Sequence, residues 1–199
     1  RSVTNVVLMG SGEPLDNYDN VIKFIKTVNN DKGLNISMRD ITLSTCGVVP
    51  KMYDLANEQM PITLTLSLHA PNDKIRSSMM PVNDKWGVDE AIAACKNYAE
   101  KTGRRVSFEY TLINGVNDTE ECAKELASKL AGMLCHVNLI PVNDVEERGN
   151  VCSTDKSIKN FCETLYSLGI NATIRRTLGS DINASCGQLR RKKNEGEIQ

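Results

Sequence analysis

An α/β fold built around a parallel sheet is predicted for this 199-residue chain. Three observations predict it. Six short runs rich in apolar and β-branched residues are spaced along the chain, and stretches with helical apolar periodicity lie between them. Polar breaks, several with glycine, follow the runs on the side where a parallel strand ends. Helical crossovers of this length join parallel strands in a right-handed sense, which makes the architecture α/β.

Each element has its own local reason. The run NVVLM (5–9) reads as the first strand, and Tyr18, Val21, Ile22, Ile25 and Val28 then recur at helical spacing after the polar starters Asp16 and Asn17. DITLS (40–44) and ITLTLSL (62–68) read as the next two strands. Val88, Ala91, Ile92, Cys95 and Ala99 form a helical face that stops at Gly103, and RVSFEYTLI (105–113) follows as a strand. Ala123, Leu126, Ala127 and Leu130 repeat the helical pattern before Gly132, ahead of the strand HVNLIPV (136–142). Ile158, Phe161, Cys162, Leu165 and Leu168 make the last helix, ended by Gly169, and ATIRR (172–176) is the last strand. The connection NDVEERGNVCST (143–154) is of a length at which loops are more often functional than incidental. Met9, Met79 and Met80 read as core filler.

Composition narrows the function. The length suits a single core and is short for an eight-unit barrel. The chain does not begin with Met and runs at once into an apolar stretch, so it reads as part of a longer protein. No stretch approaches the roughly 18 apolar residues of a membrane helix, and no leader is recognisable. A soluble, cytoplasmic chain without membrane contact is expected. Seven cysteines without a close pair suggest reduced thiols, not a disulfide framework or a self-contained metal site. With 24 basic against 25 acidic residues, the net charge of -1 lacks the basic balance of a freestanding nucleic-acid binder.

Chemistry-bearing residues gather at the carboxyl ends of the predicted strands, where ligands bind in sheets of this kind. GSGEPL (10–15), STCG (44–47), SLHAPND (67–73) and IPVND (140–144) are each a polar break after an apolar run. Gly10 and Gly12 let the backbone approach a ligand, and Glu13, kept out of helical geometry by Pro14, stands where a cation or ammonium group could be held; a flexible turn is the plainer alternative. His69 could donate to a ligand carboxylate, act as an acid or base near neutral pH, or be a satisfied structural histidine, and Ser67 shares its strand face. Asn143 suits a ribose hydroxyl, or simply caps its loop. Arg175, Arg176 and the basic run at 190–193 could meet phosphates, or form a solvated face. Cys186, flanked by Ser185 and Gly187 in a polar loop, looks placed to react.

In order along the chain, MGSGEPL, STCGVVPK, LSLHAPND, GRRVSFEYTLINGVND, VNLIPVN and RRTLGSDINASCGQL resemble the RlmN/Cfr family of radical S-adenosylmethionine RNA methyltransferases, over nearly the whole length. The resemblance is greatest to the branch that methylates C2 of an adenine in 23S rRNA and, in many bacteria, in certain tRNAs. It implies the partial (β/α)6 TIM-like barrel of radical SAM enzymes, lacking its first strand and cluster loop, with residues 1–191 as the C-terminal part of that core and 192–199 as a disordered tail. S-adenosylmethionine would lie across the strand ends, with Gly12 and Glu13 at its methionine end, further contacts from Ser44, Ser67, Leu68 and His69, and Asn143 on the ribose. Cys186 would accept a methyl group. A reduced [4Fe–4S] cluster would cleave a second S-adenosylmethionine, and the deoxyadenosyl radical would take hydrogen from the S-methyl group of Cys186, whose carbon adds to the ring. A second cysteine would release the product by forming a disulfide with Cys186.

Partners implied by the same resemblance are 23S rRNA, tRNA, and an electron-donating reductase or flavodoxin, with the protein a monomer. The family's C-x-x-x-C-x-x-C cluster loop, its RNA-binding N-terminal region and the partner cysteine have no counterpart in these residues, so the 199 residues alone are expected to cleave no cofactor. Cys46 replaces a common serine and is not promoted to a ligand or resolving thiol, Ser11 replaces a common methionine, and neither change threatens the cofactor pocket. Methylation at adenine C8 and a non-catalytic cofactor- or RNA-binding module are the alternatives.

Overall fold

The computed structural model describes residues 3–10, 12–141 and 153–175. It contains a six-stranded parallel sheet in the order β1-β2-β3-β4-β5-β6. The strands are β1 (Val6–Leu8), β2 (Ile41–Thr45), β3 (Thr63–Ser67), β4 (Val106–Leu112), β5 (Cys135–Pro141) and β6 (Ala172–Ile174). All six coincide with the predicted runs. Between them lie α1 (Tyr18–Asn29), α2 (Val49–Asn57), α3 (Asp73–Met79), α4 (Val88–Thr102), α5 (Glu120–Leu130) and α6 (Asp155–Ser167). The helices α2 and α3 have no counterpart in the sequence reading, which assigned no elements there.

Strand order that follows chain order is the signature of successive β-α-β units wound in one direction, giving a partial barrel. Side chains alternate between two faces along each strand. Leu43, Leu64, Leu66, Phe108, Val137 and Leu139 are fully buried in the core that the helices cover. Each such side chain contributes roughly 1.5–3 kcal/mol. The intervening positions are mostly polar, among them Thr42, Ser44, Thr65, Ser107 and Asn138, and they are half-buried or buried. The helix ends follow the expected glycines, with Gly103, Gly132 and Gly169 in left-handed conformation at φ 65, 72 and 81°. Tyr98 fastens α4 to the start of β3, its hydroxyl lying 2.8 Å from the Met60 carbonyl and 2.9 Å from that of Ile62. Met9, Met79 and Met80 are half-buried and are not core filler, because they fall at element ends.

Candidate functional site

The turns that leave β1, β2, β3 and β4 sit at the same end of the sheet because every strand runs the same way. Gly12 in the first turn has φ 101° and is exposed, so a side chain there would be strained despite open space around it. Glu13 is extended, with φ -106° and ψ 113°, and starts the short 3-10 turn Pro14–Asn17. Its Oε1 accepts from the Leu15 N–H at 3.0 Å and its Oε2 from the Cys46 N–H at 2.7 Å. Both oxygens therefore take backbone donors, and Glu13 ties the turn after β1 to the turn after β2. Cys46 is half-buried, and burial together with the neighbouring Glu13 pushes its thiol up to about 12. Such a thiol is a poor nucleophile.

A buried arginine organises the next two turns. Arg76 on α3 is 0 % exposed, and its guanidinium donates to the carbonyls of Leu68 (3.0 Å), Ser67 (3.1 Å) and Cys46 (2.6 Å) and to Asn83 Oδ1 (3.0 Å). No ion pair among the described residues includes it. Its charge is met by strand-end carbonyl dipoles instead. Asn83 is held in turn, donating to Asp73 Oδ1 at 3.1 Å and Ser77 Oγ at 2.9 Å. The sequence reading missed Arg76, since DKIRSSM has the look of a solvated helical turn.

His69 is fixed on three sides. Its backbone N–H donates to the Glu109 carbonyl at 3.1 Å, its Nδ1 accepts from the Thr111 N–H at 3.1 Å, and its carbonyl accepts from Asn117 Nδ2 at 2.7 Å. The backbone is left-handed there, with φ 61°, a strained conformation for a non-glycine residue and one that clusters at functional positions. Burial, with the Arg76 charge second, lowers the His69 pKa to about 4. The ring is therefore neutral at neutral pH, and because Nδ1 accepts, Nε2 carries the proton. Of the sequence alternatives, acid–base work near neutrality does not fit this environment, whereas hydrogen-bond donation does. Asn117, fully buried, supports the arrangement: its Oδ1 accepts from the Ile113 N–H at 2.7 Å and its Nδ2 also donates to the Thr111 carbonyl at 2.7 Å.

Two polar rows cross the sheet on one face. Strand pairing aligns Ser44 with Thr65, Thr65 with Ser107, and Ser107 with His136. It also aligns Ser67 with Glu109, Glu109 with Asn138, and Asn138 with Thr173. In the second row Asn138 Nδ2 donates to Glu109 Oε1 at 2.9 Å and Thr173 Oγ1 donates to Asn138 Oδ1 at 3.2 Å. Glu109 is 7 % exposed, and its Oε2 is buried with no hydrogen-bond partner among the described residues. A charged residue at the centre of an apolar strand was the signal for Glu109 in the sequence. Leu68, beside Ser67, is fully buried, and its N–H and carbonyl bond to Glu109 and Arg76. It supplies packing.

The structure thus brings Gly12, Glu13, Ser44, Ser67, Leu68 and His69 to one end of the sheet. Asn143 and Cys186, with Ser11, Arg176 and the 190–193 run, lie outside the described residues. Cys46, Cys95, Cys122, Cys135 and Cys162 are free thiols. Among the described residues no three of His, Cys, Asp and Glu come together in a way that could hold a metal ion, and no helix is long and apolar enough to cross a membrane. The hydroxyl-lined rows, the neutral His69 donor and the orphaned Glu109 oxygen suit a polar ligand carrying several donors and acceptors.

The sequence profile of the radical SAM superfamily matches residues 1–127. A protein of Clostridium perfringens named probable dual-specificity RNA methyltransferase RlmN is 58% identical over 189 residues, 95% of this chain and 54% of that protein. One of the same name from Clostridium acetobutylicum is 56% identical over 198 residues, 98% of this chain and 57% of the other. The chain spans about half the length of the curated relatives it matches. The crystal structure of a radical SAM methyltransferase from Sphaerobacter thermophilus superposes with a TM-score of 0.89 at 46% identity, over 94% of this chain and 55% of that one. A domain of pyruvate-formate lyase-activating enzyme from Bacteroides vulgatus shares the fold, with a TM-score of 0.70 at 18% identity over 87% of this chain and 100% of that domain.

Proposed function

The chain belongs to the radical SAM superfamily, and from that membership we propose that the protein containing it is an RNA methyltransferase that adds a methyl group to C2 of an adenine in 23S rRNA and in certain tRNAs. The observation that carries this reading is 58% identity across 95% of the chain to a protein named as an RNA methyltransferase of the RlmN type.

In this reading S-adenosylmethionine lies over the carboxyl ends of β1 to β5, held by Gly12, Glu13, Ser44, Ser67, His69 and Asn143. When bound, S-adenosylmethionine and a reduced [4Fe–4S] cluster supply the methyl group and the radical reactivity that adenine C2, which is not nucleophilic, requires. The residues of this chain bind and orient. Gly12 leaves its backbone open to the methionine end, and Glu13 sets that turn against the next one. Ser44 and Ser67 offer hydroxyls from one face of adjacent strands, and His69 presents an uncharged N–H donor, which keeps a positive charge away from a cationic cofactor. Leu68 acts through packing, keeping Ser67 and His69 in place. Cys186 is the thiol that carries the methyl carbon to the base, and the transient disulfide with a second cysteine belongs to the same route. An electron-donating reductase or flavodoxin, a cytoplasmic location and a monomeric state complete the reading.

The test is methylation by the full-length protein with Cys186→Ala. Loss of at least about a thousandfold in product is expected, with S-adenosylmethionine binding retained, a loss of the size seen when an essential nucleophile is removed. Methylation at the normal rate would end the proposal. Mass-spectrometric mapping of the modified base separates C2 from C8.

A further inference from the structure

We propose that Glu109 is a further cofactor-binding residue, whose free carboxylate oxygen accepts a hydrogen bond from the nucleoside half of bound S-adenosylmethionine. Glu109 lies mid-strand on β4 and is 7 % exposed. A carboxylate in such a place is costly unless both its oxygens are answered. Oε1 is answered by Asn138 at 2.9 Å. Oε2 is buried without a hydrogen-bond partner, and Glu109 joins no ion pair among the described residues. Since a carboxylate only accepts, its missing partner must bring an N–H or O–H.

Position identifies which ligand can bring it. Glu109 stands opposite Ser67 in the strand register, and its own carbonyl receives the N–H groups of Leu68 and His69. It therefore faces the end of the sheet that the proposed function assigns to the cofactor, and the inference rests on that reading. Glu13 stands in the turn after β1, at the methionine end, and each of its oxygens takes a backbone donor. β1 and β4 are three strand spacings apart, roughly 14 Å measured along the sheet. A cofactor whose methionine end lies at the turn after β1 presents its nucleoside at β4. The donors there are the ribose hydroxyls and the adenine 6-amino group.

The experiment measures binding to the full-length protein by calorimetry, for wild type and Glu109→Gln, with S-adenosylmethionine, 5′-deoxyadenosine and methionine as ligands. The variant keeps the acceptor for Asn138 and removes the charge. Expected are affinities at least about tenfold weaker for S-adenosylmethionine and 5′-deoxyadenosine, as for loss of a hydrogen bond to a charged group, with methionine changed less than about twofold. The ligand-free melting temperature should hold or rise, because an unanswered buried charge is gone. Sensitivity that disappears with 2′,3′-dideoxyadenosine identifies a ribose hydroxyl as the donor, and sensitivity that persists identifies the amino group. Unchanged affinity for the nucleoside ligands, or weakening confined to methionine, overturns the assignment while leaving the cofactor reading intact. A wild-type protein that binds no S-adenosylmethionine overturns both. Should Glu109→Gln not fold, Glu109→Asp withdraws the oxygen by one methylene, and unaltered binding by that variant is equally decisive against the proposal.

Discussion

His69 shows how much of a side chain's chemistry is set by its neighbours. Residue type alone allows a proton carrier near pH 7, but burial against β4 and the charge of Arg76 hold the ring neutral. Its pKa falls from 6.5 in the unfolded chain to about 4 in the fold. Between those values the unfolded state binds more protons, so stability from this group is fully present above pH 6.5 and drains away as pH falls toward 4. The loss amounts to at most about 3 kcal/mol. Urea titrations at pH 7 and pH 4.5 should therefore show a smaller acid destabilisation for His69→Gln than for wild type. Equal losses in the two proteins would mean that His69 titrates normally. The position of His69 was legible from SLHAP. Its left-handed backbone and triple anchoring were not, since they depend on Glu109, Thr111 and Asn117, about forty residues further on.

Among the elements, α3 has a role out of proportion to its seven residues. It carries Arg76 beneath the ends of β2 and β3 and clamps three of their carbonyls. A lysine has neither the planar fork nor the reach to satisfy those acceptors together. Arg76→Lys is expected to cost at least about 3 kcal/mol in urea unfolding, because each buried carbonyl left without a donor costs roughly 1–3 kcal/mol. A cost below about 1 kcal/mol would show that the clamp contributes little. Longer helices were readable because polar starters, apolar periodicity and terminal glycines agree with one another. Seven-residue α3 is too short for a period to establish itself, whereas nine-residue α2 buries Val49, Met52, Leu55 and Ala56 at helical spacing, two turns that lack the polar starter and terminal glycine marking the longer helices.

Across the whole molecule, the sheet places β3 and β4 at its centre and β1 and β6 at its edges. A central strand opens only when both neighbours give way, whereas an edge strand loses one ladder. Amide exchange followed by mass spectrometry should be slowest in Thr63–Ser67 and Val106–Leu112 and markedly faster in Val6–Leu8 and Ala172–Ile174. Uniform protection would indicate that something covers the edges. Which runs become strands, that they lie parallel, and that the polar residues after β1, β2 and β3 gather at one end of the sheet were already written in local patterns, because apolar period and turn chemistry act over a few residues. Only the folded chain decided that Glu13 would tie two turns together through backbone amides, that Arg76 would meet carbonyls and form no ion pair among the described residues beneath the strand ends, and that Glu109 would keep one oxygen open among the described residues. Those outcomes depend on which groups meet across the sheet, and hydrogen bonds between strands tens of residues apart leave no periodic trace in the sequence.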